Sequence, residues 1–530
     1  MSRLRAFLAM LLLLSLLPAP AAARRKPKPE ERQKALAARI DRILAEPEAG
    51  RAFWGIEVRT ADGQPLYAHN SDKLFTPASN TKLFTTAAAL ALIGPDYKFQ
   101  TTVETAGALD THGRLVGDLV LVGRGDPNLS GRDLPFHIKT QRDAPADKVL
   151  EDLADQIVQK GVKFVDGDLV GDDSFYAFER YGEGWSQEDL ATQWGAPVSA
   201  LTINDNVLTV KVLPGDRPGE KAFVAVDPFA DYYQVDNRII TTPPGTGPRR
   251  VDFRREPGSD RLVLWGYIPV DDPGGAEQLA IEDPAQFAAE LFRTLLEKRG
   301  VTIYGKTRAR HTELASLSTF SVTTLAPASG GPTRSPSSLN PPLVLASHQS
   351  QALLDDLTVT NKVSQNLHAE LLLRLLGREK GTTGTIEGGL EVVKGFLAQA
   401  GVSSDDYFFA DGSGLSRLNL VAPRAVVRLL QYATTQPWGQ QFRDTLPVAG
   451  EDGTLVNRLK TPPAAGRVVA KSGALGHVSA LSGYATTASG QQLIFSILVN
   501  NTNQPGAHTE ELIDRVVQAM LDDTPPAKKK

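Results

Sequence analysis

The two ends of this chain read as parts of one sheet, and the middle has a different texture. Near the start, Leu36, Ile40, Ile43 and Leu44 follow helical spacing. Trp54, Ile56 and Val58 then alternate with Gly55, Glu57 and Arg59, as in a half-buried strand. Asp62-Gly63 supplies a hairpin turn, and Leu66-Tyr67 starts the returning strand. At the far end, residues 493–499 form a strongly apolar strand entered through Ser489-Gly490, and Leu512, Val516, Val517 and Met520 define a closing helix. A helix–hairpin start and a strand–helix finish suit one antiparallel sheet built from both termini. Between them, residues 207–212, 223–226 and 262–270 are short β-rich runs separated by Gly/Pro turns. Helix signals are sparse until Asp283, which reads as an N-cap with Pro284 at the first helical position; Phe287, Leu291 and Leu295 carry that helix to a stop at Gly300. Residues 326–342 are rich in Pro, Ser and Gly and read as a linker. Beyond it, Leu367, Leu371 and Leu375 form one helical stripe and residues 425–430, after Pro423, another.

These patterns give an α+β chain: an antiparallel sheet covered by helices, from residues 35–96 and 311–524, and a β-rich insertion of one or two domains at 97–310. A chain of 530 residues is about three to four times a typical domain, so more than one is expected. Arg3 and Arg5 precede a 12-residue apolar run at 6–17, about 18 Å as a helix and too short for a bilayer core of about 30 Å. Ala21 and Ala23 then fit a small-x-small cleavage site, so residues 1–23 read as an export signal peptide. Residues 24–34 read as a disordered basic tail, and 525–530 as a second one, together offering at most peripheral contact with anionic membrane or wall polymer. The protein is expected to be exported and soluble, periplasmic or otherwise extracytoplasmic.

With 57 Lys and Arg against 61 Asp and Glu, the formal charge of -4 argues against a nucleic-acid partner. The absence of cysteine excludes disulfides, thiolate metal sites and cysteine nucleophiles. The eight histidines include no H-E-x-x-H, and Gly123-Arg124-Gly125 lacks the third glycine of a dinucleotide loop. No metal or cofactor is expected.

The chemistry points elsewhere. Ser79-Asn80-Thr81-Lys82 precedes an Ala/Leu-rich helix, and a spacing of three puts Ser79 and Lys82 on one helical face. A neutral lysine there can remove the serine proton. A lone S-x-x-K occurs about once by chance in such a chain. Ser364-Gln365-Asn366, before the Leu367 helix, and Lys471-Ser472-Gly473, opening an apparent strand, complete a set in chain order. Asp411-Gly412-Ser413-Gly414-Leu415-Ser416-Arg417 stands between the last two, and 281 residues separate Lys82 from Ser364.

These residues resemble the S-x-x-K, S-x-N and K-[ST]-G motifs of penicillin-recognising serine enzymes. With the long insertion and its Gly125-Asp126-Pro127, Gly171-Asp172-Asp173 and Gly195-Ala196-Pro197-Val198-Ser199 segments, the chain resembles the D-alanyl-D-alanine carboxypeptidase/endopeptidase family of the penicillin-binding protein 4 type. It departs from the common pattern at Gln365, where the family usually has Asp, and at Ser472, usually Thr. The resemblance implies cleavage of peptidoglycan stem peptides ending in D-Ala-D-Ala, or of D-Ala cross-links, through an acyl-enzyme, with β-lactam antibiotics as acylating inhibitors. It implies Ser79 as nucleophile and Lys82 as base, its pKa lowered by burial and by the like charge of Lys471. Ser364 beside Lys471 would return a proton to the leaving amine, and Asn366 would hold the substrate amide. Ser472 would bind the terminal carboxylate, and the N–H groups of Ser79 and Ala474, next to Gly473, would form the oxyanion hole. Arg417, with Asp172 or Asp173, would read the two charges at the end of a diaminopimelate side chain. The rival readings are a β-lactamase of the same superfamily and a non-catalytic wall-binding protein with the same fold.

Overall fold

The computed structural model describes residues 29–137, 144–256, 258–317 and 341–522. The expected signal peptide, residues 24–28 of the first tail, the linker at 326–340 and the basic end lie outside the described residues.

The two ends of the chain build one sheet. Its five strands are antiparallel throughout, in the order Pro65–His69, Phe53–Thr60, Gln492–Asn500, Val478–Thr486, Val468–Leu475. The strand Gln492–Asn500 shows why both faces must be covered: Leu493, Phe495, Ile497 and Val499 enter one core, Ile494 and Leu498 the other. The first core is closed by the terminal helices Pro29–Leu44 and Gly506–Leu521 through Leu36, Ile40, Leu512, Val516 and Met520. The opposite face is covered by helices that include Lys82–Leu92, Asn366–Lys380 and Pro423–Thr434, with Leu367, Leu371 and Leu375 buried as their spacing predicts. Each such side chain contributes roughly 1.5–3 kcal/mol on burial, so these two faces outweigh local propensity.

One boundary differs from expectation. Residues 29–34 belong to the helix Pro29–Leu44 and not to a disordered tail. Pro29 takes a first position, where a missing N–H costs nothing, and Glu30 and Glu31 in the first turn complement the helix dipole.

The insertion carries a mixed five-stranded sheet in the order Thr307–Thr312, Leu169–Ala177, Leu119–Val122, Gln100–Thr105, Leu343–Gln349. Leu169–Ala177 runs parallel to both neighbours, which requires long crossovers, and the helices Lys148–Gln159 and Pro284–Lys298 lie in them. The first of these helices corrects the expectation that helices are sparse before Asp283: Leu150, Leu153, Ala154 and Ile157 form its buried stripe. The second starts as its sequence says, with Asp283 capping the N–H of Gln286 at 3.0 Å and Pro284 in the first turn. Leu343–Gln349, which the sequence assigns to the catalytic part, pairs antiparallel with Gln100–Thr105 in this inserted sheet. Two three-stranded sheets pack on one another around Val210, Val212, Ile239, Leu262 and Leu264 as a further β unit. Among the described residues, no helix is long and apolar enough to cross a membrane.

Candidate active site

Ser79 lies in the 3-10 turn Ala78–Thr81 at the head of the helix Lys82–Leu92. Ala78 has a φ of 48°, uncommon for a residue with a Cβ. Two close approaches press on this turn. A Cβ on Gly414 would stand 1.9 Å from the Ala78 carbonyl oxygen, and one on Gly473 would stand 3.0 Å from the Ser79 nitrogen. Glycine at both positions lets the 411–417 segment and the edge strand Val468–Leu475 close on Ser79. Asn80 Nδ2 donates to Ser482 Oγ at 2.8 Å, which donates to Ser496 Oγ at 2.9 Å, so the turn is anchored to the sheet.

Lys82 is completely buried. Its Nζ lies 2.9 Å from Ser79 Oγ, 2.6 Å from Asn366 Oδ1 and 2.7 Å from the Ser413 carbonyl oxygen. Burial lowers its pKa to about 7, against the opposing pull of the Asp411 and Glu370 carboxylates. A neutral amine has two N–H bonds and one lone pair. The amide oxygen of Asn366 and the Ser413 carbonyl can only accept, so they take both N–H bonds and leave the lone pair to the Ser79 hydroxyl. The like-charge effect falls on the other lysine: Lys471, also fully buried, is pushed well below its ordinary range by burial first and by Lys82 second.

Ser364 has a φ of 62°, and its Oγ accepts from Lys471 Nζ at 2.9 Å. Lys471 Nζ also donates to the Ser472 carbonyl at 2.7 Å, and Ser472 Oγ donates to Thr454 Oγ1 at 2.7 Å. Asn366 Nδ2 donates to the Trp194 carbonyl at 2.9 Å. Ser79, Lys82 and Asn366 thus form one hydrogen-bonded group, and Ser364, Lys471 and Ser472 a second. Gly473 brings the second group's strand onto the Ser79 turn, with Ala474 next on the sheet edge.

The support for Lys82 was not visible in the motifs. Asp411 is buried and accepts from Gly414 N at 2.8 Å, Ser416 N at 2.6 Å, Asn419 Nδ2 at 2.6 Å and Trp185 Nε1 at 2.9 Å. Glu370 accepts from the Gly412 and Ser413 N–H groups at 2.9 and 2.8 Å. These carboxylates fold the 411–417 segment so that the Ser413 carbonyl faces Lys82. The sequence signals were the acidic, glycine-containing segment 411–417 and the Leu367-His368-Ala369-Glu370 run after the second motif.

Arg417 ends that segment, exposed, with one N–H donated to the Gly476 carbonyl at 3.3 Å. Asp189 is within its electrostatic reach: burial raises the Asp189 pKa and Arg417 pulls it down. A Cβ on Gly195 would stand 2.6 Å from the Asp189 carbonyl oxygen, which packs the Asp189 segment against the turn Gln193–Gly195 that receives Asn366. Asp172 is placed differently. Its carboxylate is occupied within the inserted sheet, accepting from Ser174 N at 3.0 Å and Arg310 at 2.9 Å. Asp173 accepts from Ser199 Oγ at 2.8 Å and faces His311 at 2.7 Å. Among the described residues, no group of three or more His, Asp or Glu could hold a metal ion.

Comparison with known proteins bears on the same residues. The model of the D-Ala-D-Ala carboxypeptidase 3 (S13) family matches residues 36–327 and 331–520. The chain belongs to that family. This S13 peptidase is 36% identical, over 89% of its own length and 82% of the relative's, to a D-alanyl-D-alanine carboxypeptidase of Actinomadura sp. (strain R39). It is 26% identical, over 86% of each chain, to the D-alanyl-D-alanine carboxypeptidase DacB of Haemophilus influenzae. The fold is similar to the crystal structure of penicillin binding protein 4 from Haemophilus influenzae, with a TM-score of 0.74 at 24% identity over 90% of this chain and 98% of that one. The S13 peptidase is a serine D-Ala-D-Ala carboxypeptidase of the penicillin-binding protein 4 type, acting on peptidoglycan stem peptides.

Proposed function

We propose that Ser79 attacks the carbonyl of the D-Ala–D-Ala bond while Lys82 takes its proton. The observation that carries this is the saturation of both Lys82 N–H bonds by acceptor-only oxygens, which aims the amine lone pair at Ser79. Asn366 acts through Lys82, since its amide is held between Lys82 and the Trp194 carbonyl. As the C–N bond breaks, the proton that Lys82 took from Ser79 is relayed by the Ser364 hydroxyl to the leaving amine, with Lys471 holding Ser364 Oγ by a hydrogen bond. The Ser79 and Ala474 N–H groups stabilise the oxyanion, and Ser472 with Lys471 receives the terminal carboxylate. Water then hydrolyses the acyl-enzyme. A β-lactam enters the same path and stops at the ester. Cross-links ending in D-Ala are cleaved by the same steps. Nucleic acid is no partner of a chain with a small negative charge, and membrane contact is peripheral at most.

For the side chain of the stem peptide, we propose Arg417 as the carboxylate reader. The anion that its surroundings favour is Asp189, because Asp172 is already paired with Arg310. The domain division at 97–310 is proposed with one amendment, that Leu343–Gln349 travels with the insertion. The deciding experiment is intact-mass analysis after incubation with a penicillin, followed by peptide mapping. One drug mass on the Ser79 peptide is expected; an adduct on another peptide overturns the assignment.

A further inference from the structure

A buried ionic cluster lies one residue from the catalytic groups, and the mechanism above does not use it. Gln365 stands between Ser364 and Asn366. Its Oε1 accepts from Leu367 N at 3.1 Å, capping the helix, and its Nε2 donates to Asp205 Oδ2 at 3.0 Å. Asp205 comes from the insertion. It also accepts from Arg132 at 2.6 Å, and its other oxygen lies 3.2 Å from His368 Nε2. His368 is fully buried, and its Nδ1 lies 2.7 Å from Asp356 Oδ1. Asn128 donates to Asp356 at 3.2 Å and accepts from Arg132 at 2.9 Å.

The backbone carrying Asp205 is strained. Asn204, Asp205 and Asn206 have φ values of 52°, 56° and 54°, a run of three left-handed residues. L-residues visit that region singly and rarely, and such strain persists only where the surroundings enforce it. Here Asn204 Nδ2 donates to Val207 O and Asn206 Nδ2 to Pro197 O, both at 2.8 Å. Ser364, at the other end of the contact, is itself left-handed. Two strained turns, one from each half of the molecule, therefore meet through the Gln365 amide, with His368 touching Asp205 beside it.

We propose that Asp205 is a positioning residue for the known reaction: held by Arg132 and His368, it fixes Gln365 and so sets the turn that places Ser364 against Lys471 and Asn366 against Lys82. This rests on the roles given above to Ser364 and Asn366, and it makes the insertion part of the catalytic geometry. A carboxylate from the insertion suits an amide at 365. A glutamate at 365 would instead set two carboxylates facing each other at the place of that hydrogen bond.

Exchanging amide and carboxylate tests this. Gln365→Glu should lower the limiting rate of penicillin acylation about 10- to 100-fold, the scale of an ångström-sized misplacement, while the apparent affinity stays within about threefold. Adding Asp205→Asn, which restores one amide and one carboxylate, should recover most of the rate. Gln365→Met removes both hydrogen bonds without adding charge and should also lose rate, so it decides the matter if Asp205→Asn does not fold. Parental acylation rates in both Gln365 variants, or losses in Gln365→Glu and Asp205→Asn that add in the double variant, overturn the proposal. Ser79→Ala, Ser364→Ala and Asn366→Ala are measured alongside. Activity retained in those variants refutes the catalytic reading itself, whereas their inactivity with unaffected Gln365 variants refutes only the role of Asp205.

Discussion

On one side of Gln365 lie Lys82 and Lys471, and on the other lie His368, Arg132, Asp205, Asp356 and Asp126. Both groups are withdrawn from water, yet burial acts on them in opposite ways. In the lysine pair it wins: both ammonium groups are disfavoured, Lys82 to about 7, because the nearest polar atoms are neutral oxygens and the carboxylates of Asp411 and Glu370 face backbone N–H groups. In the cluster burial loses: it would lower His368, but Asp356 and Asp205 contact both ring nitrogens and raise its pKa. Asp126, buried with His348 Nε2 3.7 Å away and that imidazole itself disfavoured as a cation by burial, is pushed up to about 7 by its own burial. The His368 charge is kept because counter-ions stand at hydrogen-bond distance, and the lysine charges are disfavoured because their nearest partners are neutral oxygens. The first arrangement leaves an amine free to be neutral beside Ser79, the second an ion-paired strut.

The sharpest way to break this contrast is to remove the acceptor of the acyl group. Ser79→Ala should lose the penicillin adduct entirely, and any drug mass remaining after mapping would place the nucleophile elsewhere. Next in size is Lys82→Arg. A guanidinium stays protonated, so acylation should fall about 10²- to 10⁴-fold, the usual worth of a general base. In the parent enzyme, acylation should be low below the Lys82 pKa and rise to a plateau above it, with an apparent midpoint near 7. A flat profile from pH 5 to 9 would show that Lys82 is not the titrating base.

The strut predicts a different signature, in stability. His368→Leu leaves Asp356 and Asp205 facing an apolar side chain and should cost about 3–5 kcal/mol in urea unfolding. The folded-state pKa of His368 is raised above its unfolded value, so its contribution is full below the unfolded value near 6.5 and is lost as pH climbs through the folded one. Equal pH dependence of stability in parent and His368→Leu would refute that account. The smallest expected effect is Arg417→Ala, about 1–3 kcal/mol or 5- to 150-fold in kcat/KM on a diaminopimelate peptide, with little change in penicillin acylation. Equal losses on both substrates would make Arg417 a structural residue.

The candidate residues that meet around Ser79 were legible because serine, lysine and asparagine stand at fixed short spacings within each motif. The sheet was legible because alternation at residues 54–58 and 493–499 is a local property that each strand carries alone. What escaped were contacts between distant segments. No pattern links Gln365 to Asp205, 160 residues away, or Asn366 to Trp194, 172 away. Asp172 looked available in sequence because Arg310, its partner, is 138 residues off. The Lys148–Gln159 helix is a different kind of miss: its stripe of Leu150, Leu153 and Ile157 was readable, but the β-rich texture around it dominated.

The pairing of the first strands with the last has a consequence in time. Asn80 is tied to Ser482, 402 residues later, and Thr76 to Asn500, 424 residues later. A chain delivered from its N-terminus presents Ser79 early, but Lys471 and the edge strand arrive only when most of the polypeptide has emerged. Until then no edge strand closes on the Ser79 turn, and before residues 366 and 413 emerge Lys82 lacks both the Asn366 amide and the Ser413 carbonyl that hold it. A chain whose sheet is incomplete therefore holds Ser79 and Lys82 without the neighbours that surround them in the folded protein.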